Sequence, residues 1–197
     1  MSQPNLLKRI IEALDAAGID YMITGSVASS LQGEPRLTHD LDLVAAIDTH
    51  QVDTLAKALS GTELYLDVEA ARDAVRTGGM FNVIDMVEGD KVDFWMLKKE
   101  PFDRSRFGRR YPEQVFGLQL QVSSPEDTIL AKLLWCKLSG GSEKQFRDAL
   151  RVYEVQARLL DLGYLAKWVT SARRPRSLGS NSGRSRIRIN IPLDGES

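Results

Sequence analysis

The chain has 197 residues, of which 43 % are apolar and 27 % charged, so it is long enough for one domain with a genuine core and too apolar for a wholly disordered chain. A formal net charge of −1 gives it no general attraction to nucleic acid or to an anionic membrane. The only cysteine, Cys136, excludes a disulfide within one chain.

The start, Met1-Ser2-Gln3-Pro4-Asn5, is polar and lacks the basic-then-apolar pattern of a signal peptide. No apolar run approaches the roughly 18 residues needed to span a bilayer, so a cytoplasmic protein is expected. Leu6, Leu7, Ile10, Ile11 and Leu14 recur at helical spacing, with Gly18 placed to end the helix. Tyr21-Met22-Ile23-Thr24 reads as a buried strand entering a turn at Gly25-Ser26, and a short helix follows through Leu31 to stop at Gly33. Asp40-Leu41-Asp42-Leu43-Val44 alternates with period two, a strand signature. A helix is expected over 49–59 and another over 68–76, stopped by Gly78-Gly79. Residues 80–86 and 91–97 read as the two strands of a hairpin joined by Val87-Glu88-Gly89-Asp90. Residues 101–122 predict a short helix and then a strand over 118–122.

The character of the chain changes at Ser123. Ser124-Pro125 suits an N-cap and first helical position, and Ile129, Leu130, Leu133 and Leu134 supply an apolar face. Ser142-Glu143-Lys144-Gln145 has capping-box spacing and opens a helix through about residue 160. A third helix is expected over 162–169. From Ser171 onward Ser, Arg, Gly and Pro dominate, and six arginines face only Asp194 and Glu196, which reads as a disordered basic tail. Ile187, Ile189 and Ile191 alternate and could add one edge strand. The organisation expected is therefore an α/β domain over 1–122, a helical subdomain over 123–170 and a tail over 171–197.

Asp40 and Asp42 stand i, i+2 on a predicted strand, so their side chains share one face with alpha carbons about 7 Å apart. Both carboxylates could then ligate shared or neighbouring cations. About one Asp-x-Asp is expected by chance in a chain this rich in Asp, so the pair alone signifies little. Its context adds weight. Gly25-Ser26 precedes the pair by 13 intervening residues, at a strand-to-helix turn that is either an ordinary turn or one whose backbone amides cradle a phosphate. Asp93 interrupts the apolar run Val92, Phe94, Trp95, Met96, Leu97, where a charge is costly unless paired or metal-bound. Its plain alternative is an ion pair with Lys91. His39 and His50 are too few and too badly spaced for a histidine metal site, and Cys136 has no evident histidine partner. Neither a Walker-type Gly-x-x-x-x-Gly-Lys-[Ser/Thr] nor a Gly-x-Gly-x-x-Gly occurs.

The run Ile23-Thr24-Gly25-Ser26-Val27-Ala28, followed by Thr38-His39-Asp40-Leu41-Asp42-Leu43-Val44, resembles the DNA polymerase β-like nucleotidyltransferase superfamily. The motif there is a hydrophobic residue, Gly and Gly or Ser, a spacer, Asp-x-Asp, and a later lone Asp on a neighbouring strand. Arg36 matches many bacterial members. Ser124 to Lys132 with Arg147-Asp148 is similar to the helical half of AbiEii-type and related small bacterial nucleotidyltransferases. The resemblance implies a mixed-sheet nucleotidyltransferase fold followed by a small helical bundle, and two-metal magnesium chemistry on a nucleoside triphosphate. Asp40, Asp42 and Asp93 would be metal ligands and catalytic acids, with Asp93 a possible base. Gly25, Ser26, Arg36, Lys132 and Arg147 would contact the nucleotide, although Lys132 and Arg147 read equally well as a solvated helix face. The acceptor hydroxyl would belong to an RNA 3′ end, a protein side chain or a small molecule, with a toxin–antitoxin partner protein as a further expectation. The alternative is an antitoxin-like protein that keeps the fold and acts by binding.

Overall fold

The computed structural model describes residues 3–35, 41–115 and 117–173. The expectations for Arg36, Asp40 and the segment after residue 173, including the edge strand at Ile187 to Ile191, lie outside the described residues. The chain divides into two compact units, Met1–Leu160 and Asp161–Ser197.

In the first unit the opening helix α1 (Gln3–Ala16) buries Leu6, Leu7, Ile10 and Leu14, and Gly18 at φ 61° turns the chain into β1 (Asp20–Thr24). Helix α2 (Gly25–Gln32) follows without a connecting loop. Strand β2 (Leu41–Ala46) leads to α3 (Thr49–Leu59), whose start is fixed by a reciprocal capping box. Asp48 Oδ1 accepts from the amides of His50 and Gln51 at 2.9 Å each, and the Asp48 amide donates back to Gln51 Oε1 at 3.0 Å. Then come β3 (Leu64–Leu66), α4 (Val68–Thr77) and the hairpin β4 (Met80–Asp85) and β5 (Lys91–Met96). Helix α5 (Pro101–Gly108) and the strands β6 (Tyr111–Val115) and β7 (Leu118–Val122) complete the sheet. Helices α6 (Pro125–Leu138) and α7 (Glu143–Gln156) close the unit. The second unit contributes α8 (Leu162–Arg173) to the described residues.

The described strands form one mixed sheet in the order β3-β4-β5-β2-β1-β7-β6. β1 runs antiparallel to β2 and parallel to β7, whereas β2 and β5 are parallel. Alternation sorts the side chains. Tyr21, Ile23, Leu41, Leu43, Ala45, Val92, Phe94 and Met96 enter the main core with residues of α1 and α3. Thr24, Asp42, Val44, Asp93 and Trp95 occupy the opposite face, where Met22, Val44 and Phe107 form a smaller apolar cluster packed by Trp95. Asp42 and Asp93 thus lie on the side of the sheet opposite the main core.

The expected elements of residues 1–122 are present, with two additions. β3 and β6 carry no clean alternation of apolar residues: β3 is three residues long, and β6 reads Tyr-Pro-Glu-Gln-Val. Both are strands because a neighbour offers an edge, β4 to the first and β7 to the second. The helix opened by Ser142 ends at Gln156, short of residue 160. Among the described residues no helix is long and apolar enough to cross a membrane.

Candidate active site

The site begins with one glycine. Thr24, the last residue of β1, sits opposite Asp42 in the antiparallel ladder, and Gly25 then adopts φ 65° as the first residue of α2. A β-carbon on Gly25 would lie 2.1 Å from Asp42 Oδ2 and 2.7 Å from its Cγ. Position 25 therefore needs glycine twice over, for the left-handed backbone and for the space taken by the carboxylate. Ser26 is buried in the first turn of α2, so the start of a helix, where backbone amides and the helix dipole favour an anion, stands directly beside Asp42.

The second carboxylate arrives from a distant part of the sequence. Asp42 and Asp93 are direct partners across the parallel strands β2 and β5, on the same face, which sets their alpha carbons about 4.8 Å apart. Lys91, two residues back on β5, places its Nζ 2.9 Å from Asp93 Oδ2 and 3.1 Å from Oδ1. Trp95, two residues forward, donates its indole Nε1–H to Asp42 Oδ1 at 3.3 Å. Asp42, Asp93, Gly25 and Ser26 open onto one cavity of about 480 Å³, the size range of small-molecule sites.

The far wall of that cavity is α6. Thr128, Ala131, Lys132 and Trp135 recur at helical spacing along its inner face. Trp135 meets the edge of Trp95 with ring centroids 5.7 Å apart. Lys132 is buried, and its Nζ lies 2.8 Å from Asp148 Oδ2 of α7, itself largely buried. Lys132 is therefore not on a solvated helix face. Arg147 is exposed and lines a separate cleft of about 220 Å³ with Ser29, Glu34, Pro35, Asp148 and Arg151, so it does not share a cavity with Asp42. Further cations reach the main cavity from elsewhere: Lys98, Lys144 and Arg106, the last paired with Asp103 at 2.9 Å.

The structure thus brings together Gly25, Ser26, Asp42, Asp93 and Lys132. Among the described residues no group of three His, Cys, Asp or Glu side chains is gathered as a metal site, and Asp40 lies outside them. Asp42 and Asp93 nonetheless fit a hard divalent cation, since both present carboxylate oxygen to the same cavity beside a backbone turn that no β-carbon fills. Sequence reasoning missed Trp95 and Trp135. The period-two alternation of β5 already placed Trp95 on the face of Asp93, and Trp135 follows Lys132 by three residues, so the faces were legible although the contacts were not.

No protein-family model matches the chain, and no curated protein matches it in sequence. Its architecture does match solved structures. The antibiotic-resistance factor ANT(2'')-Ia, solved in complex with adenylyl-2''-tobramycin, superposes with a TM-score of 0.54 at 14% identity, covering 87% of this chain and 99% of that one. The lincosamide antibiotic adenylyltransferase LnuA, lincomycin-bound, gives a TM-score of 0.52 at 11% identity over 79% and 98% of the two chains. An antigenic nucleotidyltransferase-like protein from Paracoccidioides brasiliensis gives 0.52 at 18% identity over 86% and 88%. The fold of this chain is a nucleotidyltransferase fold.

Proposed function

We propose that the protein transfers a nucleoside monophosphate from a nucleoside triphosphate to a hydroxyl acceptor. The observation that carries this reading is the direct pairing of Asp42 with Asp93 beside the Gly25–Ser26 turn, all opening onto one cavity. The amides at the start of α2 and the Ser26 hydroxyl suit the triphosphate, and Lys132 suits its charge from the opposite wall. Asp42 and Asp93, with Asp40 as the motif resemblance implies, would hold magnesium, which neutralises phosphate charge and lowers the barrier to displacement at phosphorus. The acceptor oxygen forms a bond to the α-phosphorus while the bond from that phosphorus to the bridging oxygen of the β-phosphate breaks. Pyrophosphate leaves, and the hydroxyl proton passes to a carboxylate, with Asp93 the candidate that the motif resemblance implies.

This reading treats 1–122 as the catalytic half and 123–170 as the helical half that contributes Lys132. An AbiEii-type assignment and a toxin–antitoxin setting rest on the sequence resemblance of residues 124–132 and 147–148, and they make RNA 3′ ends and protein hydroxyls the first acceptors to try. The antibiotic bound in two of the matched structures makes a small-molecule hydroxyl the third. The test is incubation of the protein with each α-³²P-labelled NTP, magnesium, and either total RNA, total protein or a panel of aminoglycosides and lincosamides. Magnesium-dependent label transfer that disappears in Asp42→Asn supports the proposal. Tight NTP binding with no transfer to any acceptor class would instead favour a binding protein.

A further inference from the structure

The carboxylate of Asp42 is held from two sides. Its Oδ2 lies against the backbone of Gly25, close enough that a single added carbon would sit 2.1 Å away. Its Oδ1 accepts the indole N–H of Trp95 at 3.3 Å. Trp95 cannot easily swing out of that position. It is half-buried on β5, packs on the Met22, Val44 and Phe107 cluster, and meets Trp135 of α6 in an edge contact. An indole has a single N–H donor and no acceptor, so its contact with a carboxylate can only be donation to oxygen. The donation to Oδ1 fixes the direction in which the carboxylate plane faces.

Resting on the nucleotidyltransferase reading above, we propose that Trp95 is a positioning residue: its indole N–H orients the Asp42 carboxylate for divalent-cation binding, with Trp135 as the buttress that fixes the ring. Trp95 does not touch substrate in this role. Donors that orient a metal-ligating group typically matter 10–100-fold in metal affinity, because without them the ligand must be ordered at the moment of binding.

The experiment is a titration of the full chain with Mn²⁺, followed by electron paramagnetic resonance of the free ion, with no nucleotide and no turnover required. Trp95→Phe keeps a ring in the apolar cluster and removes only the donor. It is expected to bind Mn²⁺ about tenfold more weakly while its circular dichroism spectrum is unchanged. Trp95→His, which restores a ring N–H, is expected to recover part of the loss. Trp135→Phe, which keeps an aromatic edge against Trp95, is expected to weaken binding less than Trp95→Phe. Equal Mn²⁺ affinity in Trp95→Phe and the parent overturns the positioning role and leaves the functional reading standing. If Trp95→Phe misfolds, Trp95→Leu takes its place as a variant without a donor, and parental Mn²⁺ affinity in the folded Trp95→Leu protein overturns the role. A parent protein that binds no Mn²⁺ at all overturns the metal-dependent reading itself.

Discussion

Replacing Gly25 by alanine separates backbone strain from site geometry. Gly25 has φ 65°, a conformation that costs an L-residue about 1–2 kcal/mol. Since a chain of this length loses about 2–4 °C of melting temperature per kcal/mol, Gly25→Ala should melt roughly 2–8 °C lower than the parent. That cost is not specific to the site, because Gly61 has φ 75° with nothing within 4 Å of its would-be β-carbon. Gly61→Ala therefore serves as the control, with a comparable melting loss and no steric consequence. What distinguishes position 25 is the 2.1 Å contact with Asp42 Oδ2. To reach ordinary van der Waals separation the carboxylate must retreat by more than about 1 Å, well outside the tolerance of a metal ligand. Isothermal titration calorimetry with magnesium and ATP should show binding reduced at least about 100-fold in Gly25→Ala and unchanged in Gly61→Ala, in line with the cost of misplacing a positioned group by an ångström. Parental affinity in Gly25→Ala would refute the claim that the turn and Asp42 form one site.

Three further outcomes follow from the same geometry. Asp42→Asn and Asp93→Asn should each lose magnesium-dependent NTP binding by calorimetry while melting within about 1 kcal/mol of the parent, because the exposed Lys91–Asp93 pair contributes little to stability. Lys132→Ala strips a buried carboxylate, Asp148, of its ammonium partner and should destabilise by about 3 kcal/mol in urea unfolding, far more than Arg147→Ala on the exposed face. Asp85 Oδ1 accepts from the amides of Val87 at 2.9 Å and Glu88 at 3.3 Å, and these bonds, the Val87 amide first, hold its carboxyl below the ordinary value despite opposing burial. Its contribution is therefore full above the unfolded-state value near 4 and lost as the pH falls through the lower folded value. Asp85→Ala should cost about 1–2 kcal/mol at pH 7, and its difference from the parent should shrink below about pH 4 in denaturant titrations.

The first helix, the strand–glycine–helix turn and the hairpin were legible in the sequence because each is a local pattern. Apolar residues at Leu6, Ile10 and Leu14 fix a helical face, and glycine fixes a turn by what its missing β-carbon allows. The sequence also marked Asp93 as an anomaly in an apolar strand and Gly25-Ser26 as a strand-to-helix turn. It did not show β3 or β6, whose strand character is conferred by a neighbour's edge rather than by their own residues. Nor could it distinguish Lys132, buried against Asp148, from Arg147, exposed in another cleft, since both occupy helices whose buried side is set by what packs on them. The pairing of Asp42 with Asp93 and the hydrogen bond from Trp95 to Asp42 span 51 and 53 residues of sequence. Local periodicity carries no information at that range. Only the register of β2 against β5 turns two unrelated strands into one acidic face, because a slip of a single residue would send Asp93 and Trp95 into the core.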